Sequence, residues 1–266
     1  MKKSPLYLLL GVCVWACRTE YDVDGSQGEK KFVVNGLVTT LADSSRIILS
    51  YTSDNYRTGS VEYVSNAKVT VSDGDGNLVA FTPSLKNGKY TAYKGYAAKV
   101  GKKYRLTVVA DGVAYEAYDT LLPVTPIKKL DYEKRILGNG ELLYQVYYYV
   151  DKQQGTNYYK SIQYKNQTLY RFYNRLTVYV DVALNEKNNK LPASILHSKK
   201  DTARIDLLSL SEPAYKFYSD LNNILLNDGG MFTSVAANPI SNISNGALGF
   251  FQASDNSHKE IIIDPK

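Results

Sequence analysis

Across residues 31–123, short runs of β-branched and aromatic residues recur at regular spacing, split by turns rich in glycine and aspartate. Ala67-Lys68-Val69-Thr70-Val71 alternates with a period of two, the repeat of a strand with one buried face. It meets Asp73-Gly74-Asp75-Gly76-Asn77 and then Leu78-Val79-Ala80-Phe81, which together read as a hairpin. Asp111-Gly112, between the β-rich runs 103–109 and 113–118, predicts a second hairpin. Residues 32–38, 46–51 and 88–93 add further strands. At least seven short strands at this spacing predict a β-sandwich of immunoglobulin or transthyretin type over 31–123.

Leu121-Leu122-Pro123-Val124-Thr125-Pro126 places two prolines together and marks the expected domain junction. Beyond it, residues 124–266 read as a second β-rich domain, with strands at 141–150, 158–164, 167–173, 176–182, 203–210, 249–253 and 260–263. One helix interrupts them, near 212–226. Ser211 suits its N-cap, Pro213 is tolerated in the first turn, and Tyr215, Tyr218, Leu221 and Leu225 share one face. The fold class expected is thus mainly β, an Ig-like or transthyretin-like sandwich followed by a tyrosine-rich β domain with one helix.

Tyrosine is the unusual residue, 24 against 7 phenylalanines and 1 tryptophan. Its ring packs on a pleated sheet while its hydroxyl reaches water, so it decorates strands. It is also enriched at interfaces. Tyr147, Tyr148, Tyr149, Tyr158, Tyr159, Tyr170 and Tyr173 cluster in the second domain and are the candidate binding residues, for a glycan, another small ligand or a partner. If 147–149 form a strand, Tyr148 faces one way and its two neighbours the other, giving at least one buried and one exposed ring.

The first residues carry an address. Met1-Lys2-Lys3 precedes an apolar run at 6–16 that is too short for a ~20-residue membrane span and reads as a secretory signal. Val14-Trp15-Ala16-Cys17 resembles a bacterial lipobox, which implies cleavage after residue 16 and lipidation of Cys17. Residues 17–30 are polar and lack apolar periodicity, as expected of a flexible tether. Acyl chains on Cys17 would hold the domain on a membrane without a spanning helix, at ~0.8 kcal/mol per buried CH₂. Cys13 and Cys17 are the only cysteines, so the mature chain has neither disulfide nor thiolate chemistry.

Composition narrows the function classes. The net charge of +6 falls to +4 without Lys2 and Lys3, and the lysines stand in isolated pairs, so no nucleic-acid footprint is expected. Asp73-Gly74-Asp75-Gly76-Asn77 has oxygens at alternate positions, yet Leu78 and Ser84 stand where a calcium loop needs glycine and glutamate. A turn explains it better. His197 and His258 are the only histidines and read as solvated loop residues. Neither a nucleophile elbow nor a phosphate loop is present. Neither catalytic residues, metal nor cofactor are expected, and the chain does not read as an enzyme.

Several segments together resemble the domain of unknown function 4249 lipoproteins of Bacteroidetes. They are Cys17, Phe32-Val33-Val34-Asn35-Gly36, Ala67-Lys68-Val69-Thr70-Val71-Ser72-Asp73, Gly88-Lys89-Tyr90, Gly101-Lys102-Lys103-Tyr104-Arg105-Leu106 and Leu122-Pro123. Tyr215-Lys216-Phe217-Tyr218, Ala237-Asn238-Pro239, Ser241-Asn242-Ile243 and Gly246-Ala247-Leu248-Gly249-Phe250-Phe251 complete the series. The resemblance implies an outer-membrane, lipid-anchored protein on the periplasmic or the cell-surface face. It further implies a TonB-dependent receptor as partner, and it transfers no catalytic residue. The expected function is a ligand- or receptor-binding accessory protein. A structural or adhesive envelope protein without a ligand, and a hydrolase with paired carboxylates, are the alternatives.

Overall fold

The computed structural model describes residues 30–53, 60–84, 87–150, 155–170, 176–181, 189–226 and 238–265. The described residues are mainly β with one helix. The expected signal segment 1–16, Cys17, residues 18–29 of the tether and Tyr173 lie outside the described residues.

The first strands follow the sequence pattern closely. They are β1 (Phe32–Thr39), β2 (Arg46–Tyr51), β3 (Lys68–Ser72), β4 (Leu78–Pro83), β5 (Lys89–Thr91), β6 (Lys103–Ala110) and β7 (Val113–Thr120). Alternation does the work in β6, where Tyr104, Leu106, Val108 and Ala110 are buried and Lys103, Arg105 and Val109 are exposed. The β3–β4 turn is held by Asp73, whose carboxylate accepts the amides of Asp75 at 3.1 Å and Asn77 at 3.3 Å and the side-chain amide of Asn77 at 2.8 Å. Those oxygens are engaged in a turn, as expected. At the β6–β7 hairpin, Asp111 (φ 50°) and Gly112 (φ 77°) adopt the left-handed conformations that a two-residue turn requires.

Then come β8 (Ile127–Ile136), β9 (Leu142–Val150), β10 (Tyr158–Lys165), β11 (Thr168–Tyr170), β12 (Thr177–Val180), β13 (Lys190–His197) and β14 (Thr202–Leu210). Helix α1 (Glu212–Leu226) precedes β15 (Leu248–Ser254) and β16 (Asn256–Ile262). The helix begins where expected, with Ser211 Oγ accepting the amide of Ala214 at 3.3 Å. Its buried face is Ala214, Phe217 and Tyr218, with Leu221 half-buried, whereas Leu225, expected on that face, is exposed.

Eight strands join in the order β15-β1-β2-β5-β4-β3-β6-β7. The sheet curls into a nearly closed barrel around Val34, Ile47, Leu49, Tyr90, Leu106 and Phe251. Its two end strands, β15 and β7, are brought together by residues 242–245. Asn242 donates its side-chain amide to the carbonyls of Tyr118 (3.0 Å) and Phe251 (2.8 Å) and accepts the amide of Phe251 at 2.9 Å. Ser244 exchanges bonds with the backbone of Glu116, and Asn245 Nδ2 donates to the carbonyl of Ala114 at 2.6 Å.

β15 lies beyond the prolines at 123 and 126 in the chain, yet it pairs in parallel with β1. Asp255 alone separates β15 in the barrel from β16, which pairs with β14 in the five-stranded sheet. Its carboxylate accepts the hydroxyl of Thr40 at 2.6 Å and the amides of Val124 and Asn256, each at 2.9 Å. One side chain thus ties the loop after β1, the domain junction and the strand switch.

The second core joins the three-stranded sheet β13-β9-β8 to the five-stranded one, with Tyr148, Val146 and Val150 meeting Tyr159, Ile205 and Leu207. His197 belongs to this region. It sits on β13, 1% exposed, and not in a solvated loop; His258 is exposed, but on β16. Burial and the nearby Lys165 push the His197 pKa down, so it is neutral in the fold.

Candidate binding site

Two sequence segments far apart meet first. Val33, Val34, Asn35 and Gly36 of β1 lie beside Leu248, Gly249, Phe250 and Phe251 of β15. Gly249 adopts φ 97°, and a Cβ there would lie 2.0 Å from the Val34 carbonyl oxygen. No side chain fits, so glycine is what lets the strands approach. On the outer face of this pair, α1 packs through Phe217, Tyr218 and Phe250, whose rings stand 5.0 to 6.4 Å apart.

A cavity of about 280 Å³ remains between helix and strands. Val33, Val34, Leu221, Leu248, Phe217 and Phe250 supply its walls, and Gly249 leaves part of one wall bare. Asn35 and Asn238, both exposed, lie at its border and are its amide-bearing side chains. The walls are apolar and the polar groups few, as in small-molecule sites. Tyr218 also borders it; burial drives its hydroxyl pKa up, and the nearby Asp119 adds to this. The hydroxyl therefore stays protonated. Among the described residues that line it, none supplies a nucleophile or an acid–base pair.

The candidate tyrosines differ widely in exposure. Tyr148 and Tyr159 are 2% and 1% exposed, and Tyr159 shares a 2.8 Å hydrogen bond with Thr125. Tyr147 is buried, its hydroxyl bonded to Arg135 and its ring lying under Lys190 at 3.9 Å. Tyr149 is half-buried with Lys129 over its ring at 4.3 Å. The strand alternation expected for 147–149 is blurred because both faces of β9 are covered, and none of the three rings is exposed. Tyr158 stacks on Tyr215 of the helix at 4.8 Å, and Tyr170 alone among the described candidates is exposed. These rings do not come together into one surface.

Among the described residues no group of three or more His, Cys, Asp or Glu is placed to hold a metal ion. No helix there is long and apolar enough to cross a membrane. The sequence does not reveal the cavity itself, although the segments 32–36, 215–218, 237–239 and 246–251 that carry the resemblance contribute residues to its lining. The signal lay in their joint occurrence at both ends of the chain.

No curated protein matches the sequence. The family model described as "Domain of unknown function (DUF4249)" matches residues 18–260, so it spans the barrel, the second β region, the helix and the returning strand. The chain belongs to the DUF4249 family.

Proposed function

We propose that the chain is a cell-envelope lipoprotein, anchored through Cys17, that binds a small apolar or amphipathic ligand in the cavity between α1 and the β1–β15 pair. The single observation that carries this reading is the cavity, with its apolar walls and its two asparagines at the border. The Gly249–Val34 contact keeps the β1–β15 wall rigid, which lowers the ordering cost of binding.

N-phenyl-1-naphthylamine, an apolar dye, tests the cavity. Its fluorescence should rise saturably with the full chain and bind at least about tenfold more weakly to Leu221→Trp, whose indole fills the space. Equal titration of both proteins would overturn the reading. The anchor has its own test: Cys17→Ala should leave the outer-membrane fraction, and retention there refutes lipidation at this residue.

A second reading, docking onto a TonB-dependent receptor on the outer membrane, draws support from the β8–β9 hairpin. Its tip exposes Ile136 (76%), Leu137 and Leu142 to solvent. A receptor that co-elutes in mild detergent and is lost from Ile136→Ser/Leu142→Ser supports it; its absence from the wild-type extract removes it. We further infer that the barrel is a flattened sandwich of immunoglobulin or transthyretin type. Among the described residues, the halves β15-β1-β2-β5 and β4-β3-β6-β7 pair strand to strand only at β4 and β5, through Thr82–Thr91, Pro83–Tyr90 and the bond from Ser84 N–H to the Lys89 carbonyl at 2.9 Å. A crystal structure in which β4 and β5 pair along their whole length would exclude it.

A further inference from the structure

Tyr93 is 65% exposed, the most exposed large aromatic side chain among the described residues. It stands in a tight turn after β5, where Tyr96 N–H donates to the Tyr93 carbonyl at 3.1 Å. Asp43 clamps that turn: its carboxylate accepts the amide of Gly95 at 2.6 Å, and its own amide donates to the Tyr96 carbonyl at 3.2 Å. The ring of Tyr96, 7% exposed, meets Tyr93 edge to face at 5.6 Å and rests in the same way on Phe81 at 5.9 Å. An exposed ring is therefore held on a rigid, buried aromatic base.

Two clefts share Tyr93 and Tyr96. One, of about 230 Å³, is lined by Asp43, Ser45, Thr91 and Lys94. The other, of about 380 Å³, is lined by Asp73, Asn77, Lys99 and the buried Tyr104. Tyr104 fixes the second cleft by accepting the amide of Lys99 at 2.7 Å. Lys94 and Lys99 form no ion pair among the described residues, which leaves an ammonium in each cleft. The exposed Tyr118 differs, because Lys103 and Arg105 already lie over its ring at 5.2 and 5.7 Å.

We propose that Tyr93 and its two flanking clefts bind an oligosaccharide, one pyranose ring stacking on Tyr93 and its neighbours lying in the clefts. A sugar face offers C–H groups to a π-surface, and its hydroxyls both donate and accept. Asp43 accepts hydroxyls, Lys94 and Lys99 donate, and Thr91 and Asn77 do both. Apolar ligands gain little from this lining. The site is separate from the cavity beside α1 and does not depend on it.

Affinity electrophoresis of the full chain in gels containing amylopectin, xylan, galactomannan, laminarin or polygalacturonate tests the proposal. At least one polysaccharide should retard the wild type. Tyr93→Ala should weaken that retention at least about tenfold, Tyr93→Trp should preserve it, and Tyr170→Ala should leave it unchanged. N-phenyl-1-naphthylamine binding and thermal unfolding of Tyr93→Ala should match the wild type, which separates loss of this site from loss of the fold or the cavity. Retention by none of the five, or retention indifferent to Tyr93→Ala, overturns the proposal. So does Tyr93-dependent binding of a tryptic casein digest with no polysaccharide retained, which would assign the site to peptides.

Discussion

Asp119 shows how one buried residue couples the barrel to the rest of the chain. It is 6% exposed at the end of β7, and its carboxylate accepts the amides of Thr120 at 2.9 Å and Ala253 at 2.8 Å. Burial pushes its pKa up to about 6, against the hydrogen bonds from Ser211 and the two amides, which favour the charged form. The folded chain thus holds this proton longer than the unfolded chain, whose aspartates titrate near 3.9. The stabilisation is complete below about pH 4 and is lost as pH rises through 6, about 3 kcal/mol in all. His197, with its lowered pKa, works in the opposite sense, its contribution fading as pH falls below about 6.5. Urea midpoints between pH 4 and 7 should therefore show a downward component in the wild type that Asp119→Asn lacks, whatever the variant's overall stability. Identical slopes for the two proteins would show that Asp119 titrates normally. Nothing in the sequence around Tyr118-Asp119-Thr120 announces this burial, because it is created by Ala253, more than a hundred residues away.

At the scale of elements, local pattern and local structure agree where one face of a strand is buried. β2, the two hairpins and α1 fall where alternation, Asp-Gly turns and the Ser211 cap place them. β8 and β13 were not legible. β8 is exposed along most of both faces, so Lys128, Lys129, Asp131, Glu133, Lys134 and Arg135 leave no apolar period to read. β13 carries Pro192 and a register shift between Pro192 and Leu196; it is tolerated because it lies at the edge of its sheet. The 242–245 segment is likewise no strand, yet it closes the barrel. Asn242→Ala removes three hydrogen bonds and strands the backbone groups of Phe251, so it should cost about 2–3 kcal/mol in denaturant unfolding. Asn245→Ala, which loses one exposed bond, should cost less than about 1 kcal/mol. Equal, small effects at both positions would mean that the closure depends on β15 and β7 alone.

The whole molecule is organised by the return of the chain's end to its beginning. β1 and β15 are separated by some two hundred residues and pair along seven positions, and Asp255 turns the chain at once into the second sheet. A reading of local pattern divides the chain at Pro123, because periodicity reports which face of a strand is buried and not which strand lies beside it. The cavity lies at this meeting of distant segments, and for the same reason its walls were visible as separate motifs while the space between them was not. The tyrosines show the converse: their abundance suggested a surface, and the fold spends most of the candidate rings on packing. The proposed function stands or falls with that cavity being a ligand site. Native mass spectrometry of the full chain, extracted in mild detergent from the cells that produce it, tests it most directly. We predict one small apolar molecule per chain in the wild type and none in Leu221→Trp; a wild-type chain that carries no such molecule, or a molecule retained equally by Leu221→Trp, would contradict it.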